Sequence, residues 1–246
     1  MSTSPRVLLL AGHEPTGRAG LLADAATVRA LGGAPVAVPT AQTAQGTATF
    51  LTEATPPRLL RAQIAAAREL GDLHAVKLGV VPDATRLEAL REALEGVEAW
   101  WVVDPVVRTS KGQPLSRLTA RHYLGLAGPR VVLTPNLDEA AWLLGWPAVR
   151  TVDEAAEAGR ELVARGFGAV LVKGGHRESG AVDVLCVPGR VRLLTGRRLA
   201  RSPERRGTGC RFASALAVEL GRGRAVELAA RRAKTYVARY LRTGTS

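Results

Sequence analysis

Along the 246 residues, short β-rich apolar runs alternate with longer segments whose apolar residues recur every three or four positions. The runs predict strands at Val7–Ala11, Pro35–Val38, Ala75–Leu78, Trp100–Asp104, Val131–Thr134 and Ala169–Lys173. The segments between them predict helices at Gly20–Leu31, Pro57–Leu70, Ala84–Leu94, Ser116–Leu124, Asp138–Leu144 and Val152–Arg165. This β-α alternation argues for a parallel sheet covered by helices on both faces. After Lys173 the rhythm changes. Val182–Val187 and Val191–Leu194, separated by Pro188-Gly189-Arg190, predict a hairpin at an antiparallel edge. Helices near Gly209–Leu220 and Ala225–Leu241 close the chain. No repeat, low-complexity tract or linker interrupts this order, so residues 1–246 are expected to form one α/β domain. In such sheets ligands bind beyond the carboxyl ends of the strands, so the segments just after each strand are where chemistry is sought.

Five such segments stand out. Gly207-Thr208-Gly209-Cys210 leads into a helix. Its glycines permit a tight turn, and the amides of a helix N-terminus can hold a phosphate or a developing anion. A cysteine placed there is expected to have a lowered pKa and could take a proton from a hydroxyl; a buried cysteine at a helix entry is the plain alternative. The turn-rich stretch from Gly12 to Gly20 follows the first strand. In the helix after it, Asp24 falls within an apolar stripe of Leu21, Ala25 and Val28. A carboxylate there requires a partner, either a heteroaromatic ring bearing N–H donors or an arginine. Asp104 ends a buried strand ahead of Pro105, a position from which carboxylates near phosphates meet Mg²⁺ directly or through water. Asn136 and Glu139 are three apart at a helix start, where they can face one site or simply cap the helix. Lys173-Gly174-Gly175 ends a strand with glycines that would let a nucleotide approach the backbone.

Charge sharpens the picture. The formal net charge is +12, and residues 190–246 alone carry 14 Arg and one Lys against three Glu, so the whole excess lies in the C-terminal quarter. Such a field favours an anionic ligand such as ATP, and a solvated arginine-rich helix face would account for it equally well. Nucleic acid is disfavoured, because aromatics are only 4% of the chain and leave few stacking platforms. Lysine is used only at 77, 111, 173 and 234, and three of these four lie beside the motifs. His13, His74 and His122 show no zinc-ligand spacing with one another or with Cys186 and Cys210. The two cysteines fit a reducing compartment, and Cys186 reads as plain core. No run reaches the ~18 apolar residues of a membrane helix. The stretch Val7–Ala11 is too short for a signal-peptide core, so a cytoplasmic location is expected.

Taken in order, the motifs around Gly12–Gly20, Thr40–Gln45, Val76–Gly79, Val103–Val106, Thr134–Glu139, Val172–His176 and Gly207–Cys210 resemble those of the hydroxymethylpyrimidine kinase / phosphomethylpyrimidine kinase family of thiamine synthesis. The resemblance spans nearly the whole chain. It implies a ribokinase-like three-layer α/β/α sandwich that moves the γ-phosphoryl of ATP to a pyrimidine hydroxymethyl group and then to the monophosphate. It implies that Asp24 and Gln45 hold the ring, with Gly12 and Val80 lining the pocket. Cys210 becomes the base, and the amides of Gly207, Thr208 and Gly209 join its own in the anion hole. Asp104 and Glu139 would organise Mg²⁺, while Asn136, Lys173, Gly174 and Arg206 would sit by the nucleotide. Relatives of this type often pair as homodimers.

The chain departs from that pattern in places. His13-Glu14 stands where the family usually has Ser-Asp, Arg18 where it has Gly, Gly46 where it has Asn, and Arg205-Arg206 where it has Thr-His. Lys111 follows Ser110 where the family order is Lys-Ser-Gly. Arg18 brings a cation into a glycine turn, and Arg205 and Arg206 suit bidentate binding of phosphate. Two alternatives follow from these departures: a kinase of pyridoxal or another hydroxymethyl heterocycle, and a non-catalytic paralogue that only binds.

Overall fold

The computed structural model describes residues 4–46, 49–109, 112–174, 182–196 and 206–244. Strand β1 (Arg6–His13) runs inside a nine-stranded sheet, third from one edge. It is followed by α1 (Gly20–Ala30), β2 (Ala34–Gln45), β3 (Phe50–Ala54), α2 (Pro57–Glu69), β4 (Ala75–Leu78), α3 (Ala84–Ala93) and β5 (Trp100–Val103). Then come α4 (Ala120–Leu124), β6 (Val131–Leu133), α5 (Leu137–Leu144), α6 (Val152–Ala164) and β7 (Ala169–Val172). The hairpin of β8 (Val182–Val187) and β9 (Arg190–Thr195) leads to α7 (Thr208–Gly221) and α8 (Val226–Thr243).

The strand order is β3-β2-β1-β4-β5-β6-β7-β8-β9. Strands β2, β1, β4, β5, β6 and β7 are parallel, while β3, β8 and β9 pair antiparallel at the two edges. Alternate residues of β1 feed two separate cores, as the period of two in a strand requires. Leu8 and Leu10 join the cluster under α2 to α6, and Val7, Leu9 and Ala11 join the cluster under α1, α7 and α8. This is the three-layer ribokinase-like sandwich. The chain passes from β1 to β2 on one side and later to β4 on the other, so the sheet reverses direction at β1. The crevice at such a reversal is where an open α/β sheet binds its ligand.

Three elements differ from the sequence reading. Strand β2 runs on to Gln45, and a further edge strand, β3, pairs with its outer half from Ala41↔Ala54 to Gln45↔Phe50. Helix α4 begins at Ala120, not Ser116, because the Ser116 hydroxyl is bound to Val81 O and Thr119 caps the helix instead.

The basic C-terminal quarter is partly neutralised by two glutamates. Arg222, Arg224 and Arg232 surround the buried Glu219, and Arg190, Arg192 and Arg231 surround Glu227. The described lysines go to aspartates in enclosed places: Lys77 to Asp24, Lys173 to Asp104 and Lys234 to Asp183. Lys111, His176 and Arg205 lie outside the described residues.

Candidate active site

Helix α7 organises the site. Its N-cap, Gly207, has φ +77°, and with no side chain it leaves the amides of Thr208, Gly209 and Cys210 open at the helix start. A Cβ at Gly207 would overlap the Arg18 carbonyl, and one at Gly20 (φ +62°) would overlap the Gly12 carbonyl. The two glycines therefore let the β1–α1 loop and the head of α7 close onto each other. Arg211, buried on α7, ties the same junction by donating to Arg18 O at 3.0 Å and stacking its guanidinium 4.0 Å over the Tyr240 ring. Gly207→Ala or Gly20→Ala is expected to cost roughly 1–3 kcal/mol from the left-handed backbone alone, with more from the overlap. A thermal melt alongside an activity assay would register both losses.

Two successive residues of α7 tie it to different parts of the site. A Cβ at Gly209 would lie 3.4 Å from Lys173 Nζ and 3.7 Å from Asp104 Oδ2, so the helix start sits directly on that ion pair. Lys173 Nζ meets Asp104 Oδ1 at 2.7 Å, and Thr134 Oγ1 lies 3.4 Å from the same oxygen. The next residue, Cys210, accepts a hydrogen bond at its sulfur from the Gly20 amide and still feels the charge of Asp104. Gly20 in turn abuts Gly12, and Gly12 faces Thr43 and Val80. Gly12, Val80 and Gln45 thus form one wall at the ends of β1, β4 and β2.

Beneath both lies a buried ion pair. Lys77 shares a row of β strands with Leu9 and Val102 on the α1/α7 face, so an ammonium there must find a partner. It meets Asp24 Oδ2 at 2.7 Å, and Ser214 donates to Asp24 Oδ1 at 2.8 Å. Both oxygens of this wholly buried carboxylate are spoken for. The resemblance put Asp24 on the substrate ring; the structure corrects this, because the carboxylate has no open face and supports the site from below. Its partner is a lysine from β4, not an arginine or a ring.

Three further placements depart from expectation. The Cys210 thiol is pushed up, not down. Its burial and the negative Asp24 and Asp104 outweigh Lys77 and the Gly20 amide. Arg206 does not turn toward the nucleotide residues. It donates from Nη2 to Gln45 Oε1 at 2.7 Å and lies near enough to Glu14 to help lower that carboxyl. Burial alone would raise Glu14, but the Thr16 amide and hydroxyl hydrogen-bond it, so the buried residue stays ionised. The Gly174 amide is already committed to Asp183 Oδ1 at 2.9 Å, and the Val182 carbonyl fills the space where a Cβ would go. Glycine at 174 therefore answers to β8 packing. Arg18 is exposed.

Asn136 is the N-cap of α5. Its Oδ1 accepts from the Glu139 amide, and Glu139 accepts from the Asn136 amide, both at 2.8 Å, which is a full capping box. Glu139 does more than cap. Burial pushes its pKa up to about 7, Asp104 adds to the rise and Lys173 opposes it, so it belongs to the same charge cluster. Two carboxylates and one lysine make no metal cage. Among the described residues no group of three or more metal-ligating side chains gathers. The cluster fits a Mg²⁺ that arrives held by phosphates and water and needs only one or two carboxylates.

Comparison with known proteins places this arrangement. A family model described as phosphomethylpyrimidine kinase matches residues 14–246. The chain belongs to that family. A hydroxymethylpyrimidine/phosphomethylpyrimidine kinase of Streptomyces coelicolor is 38% identical over 240 residues, covering 96% of this chain and 88% of that protein. The crystal structure of a phosphomethylpyrimidine kinase from Clostridium difficile superposes with a TM-score of 0.81 at 28% identity, over 97% of this chain and all of the other. A pyridoxal kinase from Staphylococcus aureus in complex with ADP gives 0.87 at 25% identity, over 96% and 87% of the two chains. Among the described residues no helix is long and apolar enough to cross a membrane.

Proposed function

We propose that this kinase transfers the γ-phosphoryl group of ATP to the hydroxymethyl group of 4-amino-5-hydroxymethyl-2-methylpyrimidine, and then to the resulting monophosphate, in thiamine biosynthesis. One observation carries the reading. The first turn of α7 stands between the Lys173–Asp104 pair on one side and the Gly12–Val80–Gln45 wall on the other. A phosphoryl group crossing that turn meets open amides while it is most negative. The bond from the γ-phosphorus to its bridging oxygen breaks as the bond to the acceptor oxygen forms. The acceptor proton goes to Cys210. Lys173 steadies the nucleotide's phosphates, and Asn136 lies at the same strand end. Mg²⁺ would be held by Asp104 and Glu139 and would offset phosphate charge.

Gln45 supports the pyrimidine over pyridoxal. One lone pair of Oε1 and one N–H of Nε2 remain after its two internal hydrogen bonds. Together they match an amino group beside a ring nitrogen. The 38% identical relative bears the pyrimidine kinase name, while the pyridoxal kinase likeness speaks to fold and ATP use. Residues 1–246 are read as one kinase domain. A homodimer comes with the family resemblance, and a cytoplasmic location fits the two free cysteines.

An ATP-consumption assay over the pyrimidine alcohol, its monophosphate and pyridoxal tests the proposal. Turnover of both pyrimidines is expected; turnover of pyridoxal without either pyrimidine defeats it. Glu139 adds a pH signature. Its folded pKa of about 7 stands above the ordinary carboxylate value, so it is protonated just below neutrality and ionised above it. The Mg²⁺ concentration needed for half-maximal rate should rise as pH falls below 7, by up to roughly tenfold per unit as one proton competes with the metal. Glu139→Gln should flatten that dependence while keeping the capping box. A slope unchanged in the variant would remove Glu139 from the metal site.

A further inference from the structure

Gln45 closes β2 and is held from both sides. On one side Arg206 Nη2 donates to Oε1 at 2.7 Å. On the other, Nε2 donates to Thr43 Oγ1 at 3.2 Å, and the Thr43 hydroxyl donates onward to His13 O at 3.2 Å. A guanidinium has only donors, so it accepts no amide N–H. The threonine hydrogen is committed to His13, so the oxygen offers the amide a lone pair. Rotating the amide by half a turn would set N–H against guanidinium and carbonyl against lone pair. Both hydrogen bonds would be lost, at about 1–3 kcal/mol for each group left unsatisfied. Arg206 is itself anchored next to Gly207, whose backbone is wedged on Arg18 and Ala19, and it lies beside the ionised Glu14.

We propose that Arg206 is a positioning residue that fixes the orientation of the Gln45 amide and thereby selects a 4-amino over a 4-oxo pyrimidine. This rests on the reading that Gln45 meets the acceptor ring. With the carbonyl turned to Arg206, its remaining lone pair accepts from an exocyclic amino group, and the remaining N–H donates to the neighbouring ring nitrogen. A 4-oxo ring presents the reverse order, carbonyl outside and N–H in the ring. It would face lone pair with lone pair and hydrogen with hydrogen.

The test uses the full chain and two acceptors, the 4-amino-5-hydroxymethyl-2-methylpyrimidine and its 4-oxo counterpart. Kd is measured by calorimetry and kcat/KM by ATP consumption. Wild type should prefer the amino ring. Arg206→Lys, still a pure donor, should keep most of that preference. Arg206→Met should shrink it by about tenfold, the worth of one hydrogen bond at the orientation. Arg206→Glu, an acceptor, should shrink it further, through Kd and KM more than kcat. A preference that stays constant across Met and Glu variants, with both acceptors weakened alike, overturns the proposal. Binding separates this from the kinase reading. A chain that binds both rings without phosphorylating either defeats the kinase assignment, yet its Kd ratio still judges Arg206. Should the Glu variant fail to fold, the Lys and Met pair decides.

Discussion

Cys210→Ala is expected to lower kcat by about 10²–10⁴-fold, the range associated with losing a general base. Three ionisable groups near the first turn of α7 are unsuited to the task. Asp24 has both oxygens engaged by Lys77 and Ser214, and Asp104 is paired with Lys173. Lys77 is held as the ammonium, because Asp24 and the other negative groups around it outweigh the burial that would favour the amine. Cys210, a half-buried residue, combines a place on the first turn of α7 with contact to the Gly20 loop. Its raised pKa sets the pH signature. The thiol is largely protonated at neutrality, and the thiolate that accepts a proton becomes commoner as pH rises toward its pKa. The rate of the wild-type enzyme should climb on the alkaline side, and this limb should vanish in Cys210→Ala. A raised thiol pKa is compatible with phosphoryl transfer, where the transition state is loose and the acceptor proton leaves late. An unchanged kcat in the variant would take Cys210 out of the mechanism.

How much of this was legible in the sequence depends on where the physical signal lies. Strands β1, β4, β5, β6 and β7 were visible because burial on both faces makes them nearly unbroken apolar runs. Strand β3 was not, because an edge strand with one side in solvent reads Phe-Leu-Thr-Glu-Ala, neither a continuous run nor a clean alternation against a core. The outer half of β2 was missed for the same reason, since Thr-Ala-Gln-Thr-Ala-Gln has no apolar rhythm. Of the site, the strand-end positions were readable from topology. The pairings were not, because Lys77 and Asp24 are 53 residues apart and Arg206 and Gln45 are 161 apart. A signal for the first pair did exist. Asp24 within an apolar helix stripe and Lys77 within Ala-Val-Lys-Leu are both charges in places that must be buried, and each is the other's simplest remedy. No comparable signal marks Arg206, which stands among many arginines.

Lys77→Met should produce the largest loss of stability of any single side-chain change in the site. It leaves the Asp24 carboxylate buried beside one hydroxyl and no cation, and breaking a buried pair from one side costs about 3–5 kcal/mol. At roughly 2–4 °C per kcal/mol for a chain of this size, the melting temperature should fall by about 6–20 °C. The sign of the pH effect follows from the orphaned acid. Burial already pushes the Asp24 carboxyl up against Lys77 and Ser214, and without Lys77 that rise is unopposed by any cation. The folded variant then binds a proton more tightly than the unfolded chain, so its deficit relative to wild type should narrow as pH falls and widen as pH rises. Adding Asp24→Asn should recover much of the loss, because a neutral amide can still accept from Ser214 and no uncompensated charge remains. Activity should not return with stability. Lys77 is also a positive charge acting on Cys210, and its removal raises the thiol further and makes the thiolate scarcer at a given pH. A double variant that melts near wild type but turns over slowly, with its alkaline limb moved to higher pH, would separate the two roles. A Lys77→Met protein that melts within about 1 °C of wild type would show that the pair contributes little.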